Sequence, residues 1–367
     1  MDLSGFHVLV GPNGSGKSTF LDAIEFVKSC LVEGPRRAVE LRVPDFRDLT
    51  FMRRGGEIAI DLWLDLSALL PEREGRLHYR LAIVADDQLG VRVSEETLER
   101  AGKPKSVKLV GKTATGKDFY RRELGTYQDV FVFGADKLAL SLTPPDETRY
   151  PSGNAAKSFL TGGIRYIQLD SPAMREPAPA TRPTELQVDG ANLARAVGQI
   201  TRSRRDVKSN TIENWTSHLR YALEDLKSIG WAARAADNAE YLVLKYDDGL
   251  ECPSWLLSDG TLRMLALTLP AFLPAVPRIY MIEEPENGVH PKALEIILKA
   301  LMAIPQAQVF VATHSPLVVQ EVGPDPLLCF WKNESGVHVV RGSRHHALKN
   351  WKGVPELSSI FASRVLG

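Results

Sequence analysis

The chain of 367 residues is long enough for one large domain or two intimate ones. Its hydrophobic content of 44% and charged content of 25% are those of an ordinary soluble globular protein, which excludes a low-complexity or fibrous chain. Lysine plus arginine (45) equals aspartate plus glutamate (45), and this zero net charge argues against a strongly basic nucleic-acid module while leaving room for a local basic patch.

The first predicted element is the apolar run Val8–Val10, read as a buried strand. A helix is expected from Lys17 onward, because Phe20, Ile24, Val27 and Leu31 recur at offsets of 4, 3 and 4 and so share one face. Between strand and helix lies Gly11-Pro12-Asn13-Gly14-Ser15-Gly16-Lys17-Ser18-Thr19, which carries the full spacing of a phosphate-binding loop (Walker A). Its three glycines let the backbone curl so that successive N–H groups point at phosphate oxygens. The following helix N-terminus adds partial positive charge. Lys17 would reach the β- and γ-phosphates of ATP, and the Ser18 hydroxyl would be a ligand of Mg²⁺. A chance glycine-rich turn is the plain alternative, and the strand before and helix after weigh against it.

Residues 56–133 read as strand-rich, an antiparallel lobe inserted after the first helix. Ile58, Ile60, Leu62 and Leu64 alternate onto one side, a hairpin is expected around Asp86–Gly90, and another near Thr113–Gly116. The run "DVFVFG" is one more strand, and residues 171–183, with four prolines, read as an extended surface loop. Helical patterns cover Asn192–Ile200 and Thr211–Ile229, the latter with Trp215, Leu219, Leu223 and Leu226 on one face. A hairpin turning at Asp247-Asp248-Gly249 follows. From residue 261 on, helix and strand alternate as a parallel α/β core requires: helix 261–272, strand "RIYMI", helix 290–303, strand "AQVFVAT", helix "PLVVQEV" and a last hairpin. Residues 345–367 are expected to be helical and exposed. The apolar stretch Met264–Ile282 contains Pro270, Pro274, Pro277 and Arg278, which divide it into core elements and argue against a membrane span. No signal peptide is legible. Cys30, Cys252 and Cys329 lack metal-ligand spacing and are expected to be buried free thiols in a reduced, cytoplasmic compartment.

Three further motifs carry chemistry. "RIYMIEEPENGVHP" ends an apolar strand in two carboxylates, where ligands gather in an open α/β sheet. Glu283 is placed to hold Mg²⁺, and Glu284 to orient and deprotonate an attacking water; solvated capping carboxylates are the alternative. His314, thirty residues beyond Glu284 in "VFVATHSP", would hydrogen-bond the γ-phosphate or the water, or else cap the helix beginning at Ser315-Pro316. In "LLSDGTLRML", Ser258 is an N-cap candidate, and its hydroxyl together with the Gly260 N–H would also suit a phosphate at a helix N-terminus.

Walker A at 11–18, "LSDGT" at 257–261, "EEPENGVHP" at 283–291 and "THSP" at 313–316, in that order, resemble the ATPase heads of ABC type found in RecF and structural-maintenance-of-chromosomes (SMC) proteins. The chain is most similar to short stand-alone ATPases related to the ATPase half of OLD (overcoming lysogenization defect) nucleases, and "SPAMREP" and "LQVDGANLARAV" resemble that group's middle region. The likeness spans roughly residues 5–320. It implies a P-loop NTPase fold of α/β class: an ATPase core from 1–55 and 230–344, an inserted β lobe and helical subdomain over 56–229, and a tail from 345. It also implies ATP hydrolysis with Mg²⁺ in a head-to-tail homodimer, where Ser258 and Gly260 contact the ATP of a second subunit and Asn287–His290 form the D-loop at the interface. Three departures stand out. Only Met1–Gly5 precede the Walker A strand, no glutamine precedes Gln88 (the stretch Asp45–Arg54 being the candidate place for a Q-loop substitute), and Glu283 stands where many ABC proteins have Asp.

Only 53 residues follow His314, too few for the Toprim nuclease domain of OLD proteins, so a separately encoded effector, such as a nuclease, is expected in a phage-defence or DNA-processing system. A RecF-like repair ATPase is the alternative, with DNA as partner and the arginine-rich stretch 201–208 as its candidate contact. The long inserts argue against a transporter ATPase, and the signature motif against a small-molecule kinase.

Overall fold

A computed structural model describes residues 3, 5–70, 75–102, 106–112, 117–123, 128–202, 210–346 and 348. In chain order its regular elements are β1 (Phe6–Val10), α1 (Lys17–Val32), α2 (Pro35–Glu40), β2 (Glu57–Asp65), β3 (Arg76–Asp86), β4 (Gly90–Arg100), β5 (Val107–Lys112), β6 (Lys117–Arg121), β7 (Gln128–Val132), α3 (Pro151–Ser158) and β8 (Ile164–Ile167). There follow α4 (Ser171–Arg175), α5 (Leu193–Arg202), α6 (Thr211–Leu219), β9 (Leu226–Ala233), β10 (Glu240–Tyr246), β11 (Glu251–Pro253), α7 (Asp259–Thr268), β12 (Arg278–Glu283), α8 (Pro291–Met302), β13 (Ala307–Ala312), α9 (Pro316–Val322), β14 (Leu327–Asn333) and β15 (Gly336–Arg341). They form two compact units, residues 1–18 with 165–367, and residues 19–164.

The first unit is built on a six-stranded mixed sheet of order β15-β14-β1-β13-β12-β8. β1 is hydrogen-bonded in parallel to β13 and β14, and its residues Val8–Val10 are fully buried, as a strand covered on both faces must be. β12 pairs in parallel with β13, whereas β15 returns antiparallel along β14. A second, three-stranded sheet, β11-β10-β9, packs against α5 and α6. Trp215 of α6 is fully buried and its indole N–H donates to Thr268 Oγ1 at 2.8 Å, so the largest side chain of this core is also polar-satisfied.

The second unit holds α1 from Thr19 onward, α2, α3 and an antiparallel sheet of order β2-β3-β4-β5-β6-β7. β2 alternates as expected, with Ile58, Ile60, Leu62 and Leu64 on the more buried side. The β3–β4 turn is closed by Asp86 Oδ1, which accepts from the N–H groups of Gln88 and Leu89 and is held below the usual carboxylate range by those bonds. Glu96 is fully buried in this unit. It accepts from Tyr79 Oη (2.9 Å) and from the N–H groups of Ala139 and Leu140, yet burial still pushes its carboxyl up to about 7.

Several expectations are corrected. The helix expected over 211–229 ends at Leu219, and Leu226 opens β9; Trp215, Leu219 and Leu226 nonetheless meet in one core, because tertiary burial rather than helical period brings them together. The proline-rich loop expected at 171–183 begins with α4, since Asp170 caps it by accepting from Ala173 N and Pro172 suits a first turn. β8 was not legible, being only four residues long. The domain bounds at 55/56 and 229/230 stand beside the compact units as a proposal, the units themselves placing α1 from Thr19 and α2 with the six-stranded antiparallel sheet, and α5 and α6 in the unit that holds the mixed sheet. Of the expected exposed tail, His345 and Leu348 are buried, and residues 349–367 lie outside the described residues, as do the Thr113–Gly116 turn and residues 203–208 of the arginine-rich stretch. Cys30 and Cys329 are buried thiols, each pushed up to about 12 by burial, while Cys252 is only partly buried. Among the described residues no helix is long and apolar enough to cross a membrane.

Candidate functional site

The site is set by where three neighbouring parallel strands end. β1 runs into Gly11, β12 ends at Glu283 opposite Ala312, and β13 ends at Ala312 opposite Leu9. Two backbone bonds continue the ladder past the strand ends: Glu284 N donates to Ala312 O at 2.8 Å, and Thr313 N donates to Leu9 O at 3.3 Å. The phosphate-loop motif, the carboxylate pair and His314 therefore share the carboxyl edge of one sheet, the place where α/β sheets gather ligands.

The loop has the backbone its glycines foretold. Gly11, Gly14 and Gly16 have φ of 149°, 74° and 100°. A Cβ on Gly11 would lie 2.3 Å from the Phe330 carbonyl oxygen of β14, so the loop leaves the sheet through a gap that admits only glycine. Pro12, Asn13 and Gly14 are exposed, Ser15 is buried with an Oγ that has no hydrogen-bond partner, and Ser18 and Thr19 are exposed at the start of α1. Lys17 is buried, and its ammonium donates to the carbonyl oxygens of Gly11 (2.8 Å) and Pro12 (3.0 Å). Burial lowers its pKa, and the nearby charges of Glu283 and Glu284 oppose that shift.

Glu283 Oε1 is buried without a hydrogen-bond partner. An unpaired buried carboxylate oxygen beside a lysine is costly unless a cation or donor completes it, so the residue suits a hard divalent metal ion. Glu284 has φ of 47°, an unusual backbone for a residue with a Cβ, and its Oε2 accepts from the Asn287 side-chain amide. Strain of this kind is found where structure fixes a side chain for function.

Residues that sequence reasoning missed complete the surroundings. Glu286 Oε1 accepts from Thr313 Oγ1 at 2.6 Å and from His314 N at 3.3 Å, while Thr313 Oγ1 accepts from Ser315 N at 2.9 Å. His314 itself is exposed. Gln168, just past β8, lines a cavity of about 330 Å³ together with Arg263, Glu283, Glu284 and Asn287. A glutamine is thus present beside the carboxylates, carried by a strand too short to be read from sequence, whereas Asp45–Arg54 forms two short 3₁₀ turns in the other unit.

Ser258 caps α7: its Oγ accepts from Thr261 N at 3.1 Å and lies 2.8 Å from Thr261 Oγ1. A Cβ on Gly260 would lie 2.7 Å from Gly288 O, so the signature turn packs against the stretch Asn287–His290. Arg175 of α4 braces the same turn by donating to Leu257 O (3.0 Å) and pairing with Asp259. His290 caps α8, its Nδ1 accepting from Lys292 N. The described hydrogen bonds of Ser258 stay within its own turn and leave the hydroxyl exposed.

Residues 6–61 and 163–320 match a protein family described as "AAA domain, putative AbiEii toxin, Type IV TA system". Among solved structures, an Smc head bound to the C-winged helix domain of ScpA aligns with TM-score 0.55 at 15% identity, covering 95% of this chain and 94% of that one. An Smc head domain with an extended coiled coil from Pyrococcus furiosus, bound to the C-terminal domain of ScpA, aligns with TM-score 0.45 at 14% identity, covering 93% and 91%. The SMC head domain from Thermotoga maritima aligns with TM-score 0.37 at 13% identity, covering 92% and 96%. The first of these carries the fold, that of an Smc head. No curated protein matches the chain.

Proposed function

The chain belongs to the AAA-domain family described as "putative AbiEii toxin, Type IV TA system", and from that premise we propose that it is an ATP-hydrolysing, dimeric switch. Its role would lie in a phage-defence or DNA-processing system, acting through a separately encoded effector. The observation that carries this reading is the meeting of Lys17, Glu283, Glu284 and His314 at the ends of β1, β12 and β13.

In this reading the N–H groups of the loop and the Lys17 ammonium hold the β- and γ-phosphates of ATP. Ser18 Oγ and Glu283 would hold Mg²⁺, which when bound supplies positive charge to the phosphate oxygens. Glu284 takes the proton of a water whose oxygen bonds to the γ-phosphorus as the bond to the bridging oxygen of ADP breaks. His314 donates a hydrogen bond to the γ-phosphate. Ser258 and the Gly260 N–H reach the phosphate of a second subunit, so closure of the pair reports the nucleotide state.

The test is phosphate release by the purified chain, with light scattering in ATP, in ADP and with duplex DNA. ATP turnover with ATP-dependent dimerisation supports the reading. A monomer in every nucleotide state, without turnover, overturns it.

A further inference from the structure

At the end of β12 away from the carboxylates lies a second cavity, of about 350 Å³, walled by Ile200, Pro270 and Leu273 among other apolar side chains. Its charged lining comprises Arg165 of β8, Arg278 at the start of β12, and Glu185, with Thr184, Gln199 and Tyr280 among its other polar residues. Both guanidinium groups converge on one atom: Arg278 Nη2 lies 2.5 Å from Glu185 Oε1, and Arg165 Nη2 pairs with the same oxygen.

The charges do not balance. The side chains of Arg165 and Arg278 are 25% and 20% exposed, whereas that of Glu185 is 52% exposed. Two guanidinium groups, which stay charged in a protein, thus face an apolar cavity with one half-exposed carboxylate between them. Each presents a planar fork of donors suited to an oxyanion, and a single shared oxygen leaves most of those donors to water. A concave, mainly apolar cavity of this volume with a few converging polar groups is the form of a small-molecule site.

We propose that this cavity binds a small amphiphilic anion: an apolar body seated against Ile200, Pro270 and Leu273, with a carboxylate or comparable oxyanion on Arg165 and Arg278. The site is separate from the nucleotide-binding edge, and the inference stands whether or not the chain hydrolyses ATP.

The test is calorimetric titration of the full chain with octanoate. Octanol, which has the body without the charge, and inorganic phosphate, which has the charge without the body, are titrated alongside. Octanoate is expected to bind saturably and both controls at least about tenfold more weakly, since neither uses both halves of the site. Arg278→Gln and Arg165→Gln are each expected to weaken octanoate about tenfold. Glu185→Gln, which leaves both guanidinium groups in place and removes their competing anion, is expected to tighten it. This last variant keeps the test decisive if an arginine substitution fails to fold. Absence of saturable octanoate binding, equal binding of octanol, or weaker binding in Glu185→Gln would each overturn the proposal.

Discussion

The hydroxyl of Thr313 donates to Glu286 Oε1 at 2.6 Å, joining the loop after β12 to the turn that carries His314. Thr313 is fully buried and the same carboxylate oxygen accepts from His314 N, so Glu286 is a positioning residue for the histidine. Glu286→Ala leaves these donors without an acceptor, at about 1–3 kcal/mol of stability. With the histidine displaced, ATP turnover is expected to fall about tenfold or more while ATP affinity holds. Glu286→Gln keeps an acceptor oxygen and should restore most of the turnover. Equal turnover in Glu286→Ala and the parent would remove this role.

In the proposed reading, Lys17 and Glu284 would divide binding from chemistry. Lys17→Ala removes the buried ammonium and is expected to abolish binding of labelled ATP. Glu284→Gln keeps the shape but cannot accept the proton of water, so binding should persist while turnover falls about 10²–10⁴-fold. Unchanged ATP affinity in Lys17→Ala would rule out the phosphate-loop assignment. Near-normal turnover in Glu284→Gln would move the base to His314.

Ser258 serves as an N-cap within its own chain, and its replacement therefore costs about 0.5–2 kcal/mol on that account alone. If it also completes a neighbour's site, Ser258→Arg should block closure of the dimer while each subunit still binds ATP. Mixing Ser258→Arg with Lys17→Ala subunits then joins one intact Walker A with one intact signature. The equimolar mixture is expected to hydrolyse ATP faster than either variant. No recovery, with subunit exchange demonstrated, counts for an ATPase that works as a monomer.

Glu96 makes stability depend on pH in the unusual direction for a carboxylate. Its folded value of about 7 lies above the ordinary 4.5, so between these values the folded chain holds a proton that the unfolded chain has released. Its contribution is therefore greatest at or below the ordinary value, declines as pH rises toward 7, and levels off above it. The slope is at most about 1.4 kcal/mol per pH unit. Urea unfolding from pH 5 to pH 8 should show this decline, and Glu96→Gln should flatten it. An unaltered pH profile in the glutamine variant would place the titration elsewhere.

The motifs were local enough to read from the chain. A phosphate loop is a run of consecutive residues whose glycines and lysine act through nearby backbone, and β1 and α1 flank it as the apolar pattern required. Glu283, Glu284 and His314 likewise follow apolar runs that could only be buried strands. Pairing across the sheet was not local. That β1 lies between β13 and β14 depends on contacts between residues some three hundred positions apart, such as Phe6 with Val309 and Val8 with Leu327, and that β12 ends level with β13 depends on pairing such as that of Arg278 with Ala307. The same holds for Gln168, which a four-residue strand without a periodic signal brings beside the carboxylates, and for Glu286, whose partner stands 27 positions away. Residue type and spacing determined which groups are candidates for the chemistry; only burial in a common core decided which of them lie together, because hydrophobic packing is non-directional and selects partners by fit in space rather than by order along the chain.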